Sequence, residues 1–140
     1  MKGSSMTASH YVSNPLLIDG LKFDLRIYVA VTSVNPLRIY MYEEGLTRFA
    51  TTPYVAPHDQ DLHINKKEGK YAHLTNYSIN KNNKQGFVQN NGEEEVQGSK
   101  WSLTGLRKVL RANEIDDSMV FNKIKDIIIK TFISVEPEMV

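Results

Sequence analysis

The feature that most constrains the fold is an alternation that runs from Lys22 to Ser33. Phe23, Leu25, Ile27, Val29 and Val31 fall on one side, and Lys22, Asp24, Arg26, Tyr28, Ala30 and Thr32 on the other. A period of two over this length predicts a half-buried strand, because successive side chains of a strand point to opposite faces. Asn35-Pro36 is a turn signal, and Leu37–Tyr42 reads as a second strand. Glu43-Glu44-Gly45 reads as the next turn, and Leu46–Thr51 as a third strand. Upstream, Asn14-Pro15 leads into an extended Leu16-Leu17-Ile18 and a turn at Asp19-Gly20. Connections this short imply an antiparallel meander.

The rest of the chain divides in two. Pro53–Gly69 and Asn80–Gly98 are low in hydrophobicity, and part of the second run is expected to be mobile. Between them, Tyr71–Asn80 is denser in apolar and aromatic residues and is expected to be ordered. From Lys100 onward the pattern is helical. Ser102 is a candidate cap for a helix with Leu103, Leu106, Val109 and Leu110 as its stripe. Asp116-Asp117-Ser118 starts a second helix, which turns Val120, Ile124, Ile127, Ile128 and Phe132 or Ile133 toward a core. That apolar set is wide for one stripe, so the helix is expected to be buried on more than one side and to end at Pro137. The fold class is α+β, an antiparallel meander followed by two helices.

Composition removes several functions. The 140 residues carry a formal net charge of +1, so there is no polybasic field of the kind that binds nucleic acid. There are no cysteines, which excludes disulfide frameworks, cysteine zinc sites and thiol nucleophiles. The most apolar stretch, Met119–Val135, is interrupted by Lys123, Lys125, Asp126 and Lys130, so no membrane span is expected. The first residues, MKGSSM, lack the apolar centre of a signal peptide and read as a tag-like or disordered start over residues 1–10. The expectation is a soluble, cytoplasmic chain.

Three groups of residues could carry chemistry. Lys22, Asp24 and Arg26 stand on one strand face about 6.6 Å apart, a span that suits an extended ligand and equally a solvated alternating-charge surface. Arg48, in the third predicted strand, can converge with Arg26 on one anion if that strand lies beside the first; otherwise it is a surface residue. His73, Thr75, Asn76, Tyr77 and Ser78 form a dense polar cluster, a pattern shared by ligand contacts and turns. His58 and His63, with Asp59 and Asp61, fit no ordered metal-ligand spacing. No glycine-rich phosphate loop and no nucleophile elbow is present. Trp101 reads as a packing residue at a helix start.

The segments YVSNPLLIDGLKFDLRIYVAVTS, NPLRIYMYEEGLTRFAT and HLTNYSINK, in this order, resemble the tubulin tyrosine ligase-like family of ATP-grasp amino-acid ligases. The likeness runs from about Tyr11 to Pro137, and EEGLTRFATTPY and HLTNYSINK are closest to the polyglutamylase branch. The resemblance implies a ligase that activates a glutamate side chain of a protein tail as an acyl-phosphate, using ATP and magnesium, and joins it to the amine of free glutamate. Partners would be tubulin acidic tails or another glutamate-rich protein, with no nucleic acid and no membrane. The location would be microtubules of the cytoskeleton, including cilia or basal bodies. Ser9, His10, Tyr11 and Val12 would form the hinge beside adenine. Lys22, Phe23 and Asp24 would line the nucleotide site, with Asp24 toward the ribose. Arg26 would serve phosphates or the acceptor carboxylate, and Arg48 the incoming glutamate and the reacting phosphoryl group. Thr75 and Asn76 would lie at the phosphates, and Tyr77, Ser78 and Lys100 at the amino acid. The family's upstream phosphate-binding lysines and its downstream Asp and Glu-x-Asn magnesium ligands have no counterpart in residues 11–140, so no metal ligand is assigned. The expectation is a partial catalytic domain, inactive alone. The alternatives are a non-catalytic remnant that binds acidic tails or nucleotide, and a tyrosine or glycine ligase relative.

Overall fold

The structure, a computed structural model, describes residues 6, 8–57, 67–89 and 96–139. The elements in chain order are β1 (Leu17–Ile18), β2 (Leu21–Val34), β3 (Leu37–Phe49), α1 (Lys67–His73), α2 (Tyr77–Asn80), β4 (Val96–Gln97), β5 (Lys100–Ser102), α3 (Leu103–Ala112) and α4 (Asp117–Met139). The strands form one sheet in the order β1-β2-β3-β5-β4, with every pairing antiparallel. The α+β class and the meander are as the sequence implies. β1 and β2 are joined by Asp19 and Gly20, at φ 51° and 73°. Both values are left-handed, which is what a tight two-residue hairpin loop needs and what Asp-Gly supplies cheaply.

The expected turn at Glu43-Glu44-Gly45 does not form. β3 runs through it as one strand, and the pairing absorbs the extra residues as a bulge. Ile27 faces Gly45 while Val29 faces Met41, so four residues of β3 pass against two of β2. The cause is local contact. A Cβ on Gly45 would lie 2.2 Å from the carbonyl oxygen of Arg26 and 3.0 Å from the Leu103 side chain, so glycine lets the two strands touch here. The Glu44 carboxylate is drawn to α3, where it accepts a hydrogen bond from the Thr104 hydroxyl. That bond holds Glu44 below the usual carboxylate range.

The core lies on the apolar face of β2, β3 and β5, under α3. Phe49 is buried, flanked by Phe23 and Trp101 at ring-centroid distances of 5.7 and 4.4 Å. Trp101 lies in β5, immediately before the cap of α3, as a packing residue. Leu103, Leu106 and Leu110 of α3 are buried against the sheet. Ser102 caps the helix, accepting from the Gly105 amide at 2.9 Å. At the start of α4, Asp116 accepts from the Met119 amide at 3.0 Å. Asp117, almost wholly buried, is held in a fork by Arg111 at 2.6 and 2.9 Å. Phe121 is buried beneath the Arg107 guanidinium.

Beyond Phe121 the expectation of burial on several sides fails. Ile127, Ile129 and Ile133 are exposed, and Ile128 lines an open cleft with Ile39, Met41 and Lys125. The reason is the width of the sheet. β1, β4 and β5 pair only near one end of the hairpin, so the far half of α4 meets a two-stranded ribbon. The helix also continues through Pro137 to Met139. The carbonyl that Pro137 cannot bond belongs to exposed Ile133, so the missing donor costs little in the last turn. Among the described residues no helix is long and apolar enough to cross a membrane.

Gly45→Ala is expected to lower stability by about 1–3 kcal/mol, because backbone and not a flexible side chain must give way. Urea unfolding measures this, and an unchanged midpoint would refute the close-contact account.

Candidate functional site

The β2–β3–β5–β4 register builds the site. Asp24 stands opposite Arg48, Arg48 opposite Lys100, and Lys100 opposite Gln97. Directly opposed residues share a face, so these four side chains form one row across the sheet, on the side away from Phe23 and Phe49. Arg48 grips Asp24 side-on, with Nε donating to Oδ1 at 2.9 Å and Nη2 to Oδ2. The carboxylate holds the guanidinium charged, above its ordinary value. It also fixes its orientation and leaves Nη1 clear of the pair. Arg26 lies on the same face two residues along, opposite Leu46, with its side chain exposed. Among the described residues its guanidinium makes no ion pair.

A second group gathers at the start of β2. The Lys22 ammonium donates to the His73 carbonyl at 3.0 Å and approaches the Tyr11 hydroxyl at 3.4 Å. Tyr11 Oη lies 2.7 Å from His73 Nδ1. The Tyr54 ring meets the His73 ring edge-on, and its hydroxyl donates to the Ser13 carbonyl at 2.8 Å. Burial, and the bond to Tyr11, push the Tyr54 phenol up to about 12. Burial and the neighbouring Lys22 charge hold the His73 imidazole below its usual range.

The third group comes from residues 75–80. Tyr77 lies under the Lys100 ammonium, 3.9 Å from ring centroid to nitrogen, and meets Phe87 edge-on. Arg48, Thr75, Tyr77 and Lys100 line one shallow depression with Ser99. Asn80 fixes this segment to the end of β3. It is 1% exposed, its Oδ1 accepts from the Thr51 amide and hydroxyl at 3.2 and 2.7 Å, and its Nδ2 donates to the carbonyls of Leu74 and Asn76. Asn83 adds a bond to the Thr51 hydroxyl at 2.9 Å.

Of the residues singled out in the sequence, the structure brings Arg48, Thr75, Tyr77 and Lys100 to one depression. Asp24 joins them through Arg48, and Lys22 and Tyr11 meet at His73. Asn76 and Ser78 are exposed at the start of α2, and Ser9, His10 and Val12 are exposed in the N-terminal segment. Phe23 is not on this face; its ring packs on Phe49. His58, His63, Asp59 and Asp61 lie outside the described residues, as does the stretch 90–95 of the run expected to be mobile. Sequence reasoning missed Asn80, which closed a polar cluster without distinction, and the histidine ring of His73 as a junction. Neither partner set is close in sequence.

The donors are those a polyanion needs: two guanidinium groups, two ammonium groups and a hydroxyl within one face and its edge. They fit a nucleotide triphosphate. They do not fit a metal, since among the described residues no three histidine, aspartate or glutamate side chains come together.

The chain belongs to the tubulin-tyrosine ligase family, whose model matches residues 1–140. It is 49% identical over 132 residues to the mouse tubulin polyglutamylase TTLL13, a match covering 94% of this chain and 15% of that protein. It is 44% identical over 136 residues to the mouse tubulin monoglutamylase TTLL4, covering 97% of this chain and 11% of that protein. The human tubulin polyglutamylase TTLL5 is 42% identical over 132 residues, covering 94% and 10%. The chain thus spans a small part of the length of these relatives.

Asn80→Ala removes the acceptor of two Thr51 donors in a buried place. A loss of about 1–3 kcal/mol is expected. Thermal or urea unfolding checks it, and wild-type stability would remove Asn80 as the fastening of residues 75–80.

Proposed function

We propose that this chain is the nucleotide- and amino-acid-facing part of an ATP-dependent ligase that adds glutamate to glutamate side chains of a protein tail, tubulin being the first candidate. The observation that carries the reading is the Asp24–Arg48–Lys100 row beside Thr75 and Tyr77 in a chain of this family. Relatives named as tubulin polyglutamylases and a monoglutamylase support glutamate as the added group. The site of action would be the microtubule cytoskeleton.

ATP supplies the phosphoryl group that activates a carboxylate toward an amine. This chain's residues bind and orient. Lys22 and Thr75 would meet phosphate oxygens, and the Tyr11 segment would border the base. Arg48, aimed by Asp24, would present Nη1 to the charge that builds on the phosphoryl and carboxylate oxygens. A donor fixed in advance needs no reorganisation as charge develops, which is where most catalytic stabilisation of this kind arises. Arg26, exposed on the same face and without an ion pair among the described residues, would hold the acceptor carboxylate. Lys100 and Tyr77, already stacked, would receive the free amino acid with Ser78 at the rim. Magnesium would be bound by groups other than those described here.

In the full-length protein carrying this segment, Arg48→Ala should cut incorporation of labelled glutamate into tubulin by about 100-fold or more, with the circular-dichroism spectrum retained. Normal turnover by that variant would reject the role given to Arg48. Incorporation of labelled glycine in place of glutamate would reject the choice of amino acid.

A further inference from the structure

His73 joins three separate parts of the chain. It is 8% exposed, at the last position of α1. Its ring receives Tyr11 from the N-terminal segment, 62 residues away. Its carbonyl receives Lys22 from the start of β2, 51 residues away. Tyr54, from the segment after β3, closes the ring's edge at a centroid distance of 5.1 Å.

We propose that His73 is a positioning residue, which clamps the Tyr11 segment and the Lys22 ammonium to the end of α1 and so holds the nucleotide end of the site at working width. The proposal rests on the nucleotide reading given above for Lys22 and the Tyr11 segment.

The protonation pattern follows from the partners. With Nδ1 unprotonated, His73 accepts, so the Tyr11 hydroxyl donates to it. The Tyr11 oxygen then has a lone pair for the Lys22 ammonium, which sits 4.8 Å from the Tyr11 ring centroid. The relay Lys22→Tyr11→His73 runs in one direction only while the imidazole is neutral. A proton on Nδ1 makes it a donor, leaves the Tyr11 proton without its acceptor, and adds a cation beside Lys22. The described groups that face the ring are Tyr11 from the N-terminal segment, Lys22 from β2 and Tyr54 from the segment after β3. None is an acid, so none compensates that charge. Burial and Lys22 both disfavour the imidazolium, and they act in the same direction as the relay. The clamp is therefore closed at neutral pH. It weakens as pH falls below the ordinary histidine value of about 6.5 toward the lower native one.

The test uses the full-length protein and three variants. His73→Asn keeps an acceptor near the position of Nδ1 but does not titrate. His73→Leu and Tyr11→Phe remove the acceptor and the donor. His73→Leu should raise KM for ATP by about three- to tenfold, the size of one lost hydrogen bond, with kcat at saturating ATP little changed, and His73→Asn should restore most of it. The wild-type KM should climb as pH falls below about 6.5, and more steeply than that of His73→Asn. An unchanged KM in His73→Leu, or identical pH profiles for wild type and His73→Asn, would overturn the proposal. A second readout does not depend on ATP. Amide hydrogen exchange at Val12 and Ser13 should speed up in Tyr11→Phe and His73→Leu and return in His73→Asn. Unchanged exchange would overturn the clamp whatever the enzyme does. Faster exchange in a protein with no ATP-dependent activity would uphold the clamp as a junction and overturn its nucleotide role.

Discussion

The register between β2 and β3 is the constraint on which the other features depend. Side chains on a strand alternate strictly, so a slip of one residue would move Phe23, Leu25 and Ile27 to water and Asp24 and Arg26 to the core. Three contacts oppose that slip, and they are different in kind. Phe49 is stacked between Phe23 and Trp101 on the apolar face. Arg48 holds Asp24 on the polar face. Gly45 admits the Arg26 carbonyl at a distance no side chain would tolerate. The same register that buries the core therefore lines up Asp24, Arg48 and Lys100. Core and site share one geometric origin, and the bulge beyond Ile27 confines the site to the end of the hairpin where β5 adds a third strand.

The segment after β3 reaches the site by a different device. Residues 75–80 have little apolar surface, and α2 is a single turn that could not hold itself in water. What fixes it is the amide of Asn80, which offers an acceptor and a donor at once and meets both needs in a buried place. An aspartate would lack the donor. Gly86 tightens the same joint, since a Cβ there would lie 2.1 Å from the Thr51 carbonyl oxygen. Thr51, the residue at the centre, is thus held from its amide, its hydroxyl and its carbonyl. Tyr77 and Thr75 inherit their positions from that joint, not from helix propensity.

What the sequence made legible was what short-range physics encodes. The alternation of Lys22–Ser33, the Asp19-Gly20 turn, the Ser102 cap and the acidic start of α4 each depend on a few neighbouring residues, and each is found. The errors have one form. Glu43-Glu44-Gly45 has the composition of a turn, and what makes it a bulge is the carbonyl of Arg26 and the hydroxyl of Thr104, both remote in sequence. The isoleucines of α4 imply wide burial, but burial needs a surface, and the sheet is two strands wide where they lie. Asn80 carried no signal of its own and His73 was legible only as one member of a polar cluster, because a buried polar side chain and an exposed one look alike until their partners are known.

The charge of this face also revises what the composition implies. A net charge of +1 excludes a long-range basic field. Yet among the described residues the face and its edge gather Lys22, Arg26 and Arg48, with Lys100 beside them, around the Asp24 carboxylate. Screening at physiological salt acts over about 8 Å, so an acid farther away than that does little to cancel this group at contact distance. An anion gains from it only when seated on the sheet, which suits a small polyphosphate or a carboxylate and gives little purchase to a duplex phosphate backbone. Asp24 sharpens the effect by tying Arg48 down. It removes one unit of charge from the face and in return leaves a guanidinium edge that is already aimed.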